Sequence, residues 1–179
     1  RRPPLVPSEL RFEVDERIAA DGSIVTDLNE KELTEVISRI SRSDVEAVAI
    51  CLLFSFVNPI HEKRVAEQVR LLGLHVSTSH EVLPEHREFE RMSTTAANAF
   101  VAPVMARYLR ALEDGLSPKQ GDSIRLRIMQ SNGGSISAAQ AGQEAVRTAL
   151  SGPAGGVVGA FASARTAGIE NTITFDMGG

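Results

Sequence analysis

The sequence predicts an α/β fold with βαβ units and a mixed sheet, and three observations carry that expectation. The run at residues 45–54, apolar but for Glu46, suits a strand covered on both faces, and a second short strand follows at 74–79. Between them Val65, Val69 and Leu72 recur at helical spacing. Strand, helix, strand at these lengths is a crossover, which pairs its strands in parallel through a right-handed connection. The third observation is antiparallel: residues 10–18 alternate, Asp21-Gly22 turns, and Ile24-Val25 returns, the pattern of a hairpin.

The remaining elements follow in order. Asn29 precedes an amphipathic helix with Leu33, Val36, Ile37 and Ile40 on one face. Asn58 as cap and Pro59 at the first helical position open the crossover helix, and Gly73 ends it. From residue 88 to about 112 the pattern is helical, interrupted at Pro103, which either kinks one long helix or starts a second. We place the internal boundary there. Residues 117–122 read as a polar loop, 124–129 as a strand, and Ser131-Asn132-Gly133-Gly134 as a turn of residues that tolerate positive φ. A helix over about 137–147 follows, then a helix of small residues opened by Ser151 and stopped by Gly168, and a last strand running into Asp176.

At 179 residues and 42% hydrophobic, the chain can bury the core of one domain or of two small lobes. A net charge of −4 with interspersed signs leaves no basic stripe, and 4% aromatics leave no stacking platform, so a nucleic-acid partner is not expected. The longest purely apolar run, 47–54, is too short to cross a bilayer, so we expect no membrane partner and a cytoplasmic location. The opening Arg1-Arg2-Pro3-Pro4 carries neither an initiator Met nor a signal-peptide core, and the chain reads as an internal fragment of a longer protein. The single Cys51 reads as a small buried hydrophobe, since no His lies beside it in sequence to activate a thiol.

Two glycine-rich stretches carry the chemistry. An apolar strand ending in Asp176 and then Gly178-Gly179 suits a phosphate, because residues without Cβ let backbone N–H groups approach its oxygens while the carboxylate holds a metal-bound water. A hairpin turn after an ordinary strand would use the same residues. In the small-residue helix, Gly155, Gly156 and Gly159 each cost about 1 kcal/mol relative to alanine, so close approach of another helix or of a ligand must compensate. Tight helix packing and anion binding at the helix N-terminus both fit. Neither the P-loop nor the dinucleotide spacing is matched.

Other polar clusters stay open between two readings. Arg87 and Arg91, separated by Glu88, Phe89 and Glu90, either clamp a carboxylated substrate or form an ion-paired helix entrance. Thr94, Thr95 and Asn98 share a helical face and either line a cleft or make buried hydrogen bonds. Asn132 and its glycines either bring backbone amides to a ligand or simply turn strand into helix. His61-Glu62 is similar to the start of a zinc-protease helix, but Val65 stands where the second ligand belongs. His80 and His86 flank Pro84, which keeps them off a common helix face.

Four separate segments, in order and spacing, resemble the hydantoinase/oxoprolinase family: residues 82–101, Met129 to Gly134, Leu150 to Gly159 and Thr174 to Gly179. Residues 58–62 and the hairpin near Glu16 to Gly22 extend the resemblance over most of the chain. It implies an incomplete actin-like, ribonuclease-H-like ATPase fold, with Mg-ATP held between two lobes by two Asp-x-Gly-Gly-Thr loops. Residues 1–100 would be the remainder of the first lobe, and 101–179 the hinge helix and the second loop. Asp176, Gly178, Gly179, Gly155 and Gly156 would then face the nucleotide, with Mg held by Asp176 through water. Arg87, Arg91, Asn98 and Asn132 would serve the substrate. The family's reaction is implied to be phosphorylation of a cyclic amide, such as hydantoin or 5-oxoproline, followed by ring opening. Related subunits carboxylate ketones with ATP, and a second hydantoinase-type subunit or a homo-oligomer is compatible with either. A sugar-kinase-like or chaperone-like ATPase, or a non-catalytic α/β binding module, are the rival readings. The isolated chain is expected to hold no nucleotide tightly and to be inactive.

Overall fold

Asn29 begins the first long helix because its side chain accepts the backbone N–H of Glu32 at 3.3 Å, satisfying a donor that the helix itself cannot. The computed structural model describes residues 4–116 and 125–177; the expected loop 117–122, residue 124 and the glycines Gly178 and Gly179 lie outside them. Two compact units divide the chain, Arg1–Pro103 and Val104–Gly179.

In the first unit, β1 (Arg17–Ile18) pairs antiparallel with β2 (Ile24–Thr26), and Gly22 turns between them at φ +85°. The hairpin strand is much shorter than the alternation of 10–18 suggests. Residues 8–10 form a 3₁₀ turn, and the Asp15 backbone is taken by the next helix: its N–H donates to the Glu32 carboxylate and its carbonyl accepts from Asn29. Phe12 and Val14 pack on the core, and the Arg39 guanidinium lies 4.6 Å above the Phe12 ring. Helix α1 (Glu30–Ile40) buries Leu33, Val36 and Ile40.

Strand β3 (Ala47–Ile50), helix α2 (Ile60–Arg70) and strand β4 (His75–Thr78) form the expected crossover, with β3 and β4 parallel in the register Ala47↔His75 to Ile50↔Thr78. The apolar run 45–54 does not continue as strand past Ile50. It turns instead, with Phe54 at φ +54° accepting from the N–H groups of Val57 and Asn58. Helix α2 starts one residue later than expected, and the Asn58 side chain still accepts from Ile60 at 3.2 Å. Leu33, Val36, Ile40, Ile50, Val65, Ala66 and Val69 make one core between the helices and the parallel strands. The short helix α3 (Ser79–Val82) leads to α4 (Glu88–Leu116), a single helix running through Pro103.

In the second unit, β5 (Arg127–Met129) pairs antiparallel with β6 (Ser135–Ser137), a strand that falls between the expected turn 131–134 and the expected helix from 137. The expected helix 137–147 is a short α5 (Ala138–Gln143), capped by Ser137, and then a 3₁₀ turn over Ala145–Thr148. The glycines explain the thin core. Leu109, Ala138 and Ala141 form it, and an added Cβ on Gly142 would sit 3.3 Å from the Ala106 backbone. Helix α6 (Ser151–Thr166) ends at Gly168, φ +72°.

Two expectations need correction. The sheet is not one mixed sheet: among the described residues the strands form three two-stranded sheets, one parallel and two antiparallel. Residues 169–177 form no strand, and all are exposed, because no described strand lies beside them to complete a ladder.

Candidate functional site

The first unit holds a polar cluster that the sequence reading misses. Glu62, fully buried in the first turn of α2, accepts from Leu52 N (2.9 Å), Ser79 Oγ (2.5 Å), His80 N (3.0 Å) and His80 Nδ1 (2.7 Å). Burial alone raises a carboxyl's pKa, but the donors from His80, Ser79 and the Leu52 and His80 amides outweigh it and hold Glu62 below the ordinary glutamate value. Ser55 and Ser79 share a hydrogen bond at 3.0 Å, and next door His61 Nδ1 lies 2.7 Å from Glu16. The histidine pair adjacent in sequence to a carboxylate is thus an anchor in the fold. Among the described residues no three His, Cys, Asp or Glu gather as a metal site.

Arg91 and Asn98 face inward from α4. Arg91, 2% exposed, donates to Leu52 O at 2.8 Å and Glu85 O at 3.1 Å, and stacks 5.2 Å from the Phe56 ring. Asn98 donates to Ser77 Oγ at 2.9 Å, and Thr95 to the Arg91 carbonyl. Arg87 is exposed and lies 3.5 Å from Glu90, so the two arginines of the cluster do not act as a pair. Cys51 is held as a thiol: burial pushes its pKa up to about 12, against a lowering hydrogen bond with Thr95.

The second unit brings a different set together. Asn132 Oδ1 accepts from Gly134 N at 2.9 Å, and Gly133 turns at φ +83° with room for a Cβ only 3.2 Å from Val158. Ser131 binds the turn to the approach to α6: its N–H and Oγ donate to Arg147 O, and its Oγ accepts from Leu150 N at 3.0 Å. Helix α6 begins there with no side-chain cap; Pro153 carries no N–H and Ala154 N donates to Leu150 O at 3.2 Å, so the helix start can offer the N–H groups of Ser151 and Gly152. A Cβ added at Gly155 would lie 3.8 Å from the Met129 side chain, whereas one added at Gly152, Gly156 or Gly159 would meet nothing within 4 Å among the described residues beyond the helix itself. Asp176 is exposed. A glycine-flanked turn tied to an uncapped helix start is suited to an anion, and an exposed carboxylate to a hydrated cation.

Fold and site define an α/β protein with a parallel crossover in one unit and a glycine-rich turn and helix in the other. The chain belongs to the hydantoinase/oxoprolinase family: the hydantoinase/oxoprolinase N-terminal region matches residues 2–73, and the hydantoinase/oxoprolinase domain matches 91–179. It is similar to the caprolactamase subunit alpha of Pseudomonas jessenii, 40% identical over 98% of this chain and 25% of that one. The crystal structure of ATP-dependent caprolactamase from that organism superposes with a TM-score of 0.83 at 37% identity, over 97% of this chain and 25% of the other. A nucleotide-free acetone carboxylase structure gives a TM-score of 0.79 at 32% identity, over 93% and 24%. The 5-oxoprolinase of Saccharomyces cerevisiae is 33% identical over 84% of this chain and 12% of its own length. The chain spans about a quarter of the length of the first of these relatives. No described helix is long and apolar enough to cross a membrane.

Proposed function

We propose that the chain is part of an ATP-dependent enzyme that opens a cyclic amide such as hydantoin or 5-oxoproline, on an actin-like, ribonuclease-H-like ATPase fold. The observation that carries this reading is the likeness to ATP-dependent caprolactamase over 97% of the chain. An unstrained cyclic amide is a poor electrophile, and phosphorylating its oxygen makes the carbonyl carbon a target for water. In that scheme ATP is a substrate and Mg²⁺ supplies charge neutralisation.

The residues divide accordingly. Asp176 would hold a water of the metal, Gly155 and Gly156 would let the start of α6 approach phosphate oxygens, and Gly178 and Gly179 are assigned to the same nucleotide. Asn132 orients its turn toward the ligand. Arg87, exposed, reaches substrate, while Arg91 and Asn98 act from inside by fixing the elements around it. Residues 1–100 and 101–179 belong to successive lobes, and a second hydantoinase-type subunit is the expected partner, as the subunit names of caprolactamase and acetone carboxylase suggest. A ketone carboxylase is the second reading, supported by the acetone carboxylase likeness.

The test is ATP hydrolysis by the longer protein with hydantoin, 5-oxoproline or acetone. Stimulation by a cyclic amide supports the hydrolase, by acetone the carboxylase, and by none the rival ATPases or a binding module. Asp176→Asn should lower stimulated turnover about 10–100-fold, as loss of an outer-sphere metal partner does. Micromolar Mg-ATP binding by the 179-residue chain in calorimetry would contradict the expected weak binding of the piece alone.

A further inference from the structure

Because β3 and β4 are parallel, the loops leaving their carboxyl ends, 51–59 and 79–87, emerge at the same edge of the sheet. In open α/β sheets ligands bind outside that edge. A pocket opens there, lined by Leu53, Phe54 and Phe56 from the first loop, His86 from the second, and Glu88 and Arg91 from the start of α4. The first loop is held from several sides. Glu62 takes the N–H of Leu52 and Arg91 its carbonyl, Ser55 is bound to Ser79, and Phe54 is kept at φ +54°, where a bulky residue persists only if its surroundings impose it.

Arg91 is the second observation. A guanidinium carries five N–H donors, and the protein accepts from two of its nitrogens, at Leu52 O and Glu85 O; Nε has no acceptor among the described residues. A buried cation with unspent donors beside a pocket is matched by an acceptor carrying negative charge. We propose that this pocket binds a small monocarboxylate with an apolar body: the carboxylate on Arg91, His86 at the mouth, and the apolar part against Phe54 and Phe56. Glu88 in the same lining disfavours a second negative charge, which selects a monoanion. The pocket stands apart from the nucleotide reading, since it would take its anion whether or not the longer protein hydrolyses ATP.

The test is a ¹⁵N NMR titration of the chain with sodium propionate, with propionamide as the neutral isostere and sodium chloride as the ionic-strength control. Saturable shifts at the amides of 52–56 and at Arg91 Nε, in the millimolar range and at least about fivefold weaker with propionamide, are expected. Arg91→Lys should abolish saturation. Because that variant also loses the bonds to Leu52 and Glu85 and can unfold the chain, His86→Gln, at an exposed position outside the buried cluster, is the second arm and should weaken propionate about threefold. Shifts that do not saturate, that match those from propionamide, or that survive both folded variants unchanged overturn the proposal; if Arg91→Lys unfolds, unchanged binding in His86→Gln does so alone.

Discussion

The two units are stabilised by different means. In the first, branched aliphatics from two helices and a parallel strand pair surround a core, and a buried carboxylate and guanidinium brace the loop above it. In the second, Leu109, two alanines and a glycine make the interior, while Val157, Val158, Phe161, Ile173, Phe175 and Met177 stand exposed. The contrast teaches that the first unit's stability rests on hydrogen-bonded buried charge and side-chain volume, and the second's on backbone conformation at a few glycines. Substitutions can break or sharpen that contrast.

The largest effect belongs to Glu62. Glu62→Ala strands four donors in the interior and should destabilise the first unit by about 3–5 kcal/mol, read from urea unfolding midpoints. Acid should act on the same group. Its folded pKa lies below the ordinary value, so its contribution is fully present above that value and is lost as pH falls through the folded one. Wild-type urea midpoints should therefore drop between neutral and strongly acidic pH, and Glu62→Gln should flatten that drop. In the second unit Gly133→Ala should cost about 1–3 kcal/mol, from positive φ and the approach to Val158, with amide exchange around 131–134 as the readout. The smallest effect has the opposite sign. Gly156 meets nothing within 4 Å, so Gly156→Ala should stabilise α6 by up to about 1 kcal/mol in thermal melts of this chain. A loss of stability there would mean that the site is crowded after all.

How much of this was legible in the sequence differs between the same two regions. The crossover, the Asn29 cap and the Gly73 and Gly168 stops follow from local rules, because periodicity, capping and positive φ are decided within a few residues. The ends of elements do not. Residues 10–16 alternate like a strand, yet Glu32 and Asn29, more than a dozen positions on, take the Asp15 backbone. The run 45–54 looks like one strand until Phe54 turns, which no propensity for phenylalanine foretells. At the candidate site, the turn itself was readable from Ser131 to Gly134. The role of Glu62 was not, because its partners Leu52, Ser79 and His80 lie in two other segments, the loop after β3 and the short helix α3. Arginine at 91 signalled importance, but only the fold separates its inward place from the exposed one of Arg87.

The Leu52 backbone is held on both sides by opposite charges, Glu62 taking its N–H and Arg91 binding its carbonyl. Removing either one would leave one of these two backbone groups without its partner in the interior, so a route to an apolar version of this loop must exchange both at once. Any relative that has lost one of these two side chains should have replaced the other as well, or should present a differently shaped loop between its crossover strand and helix.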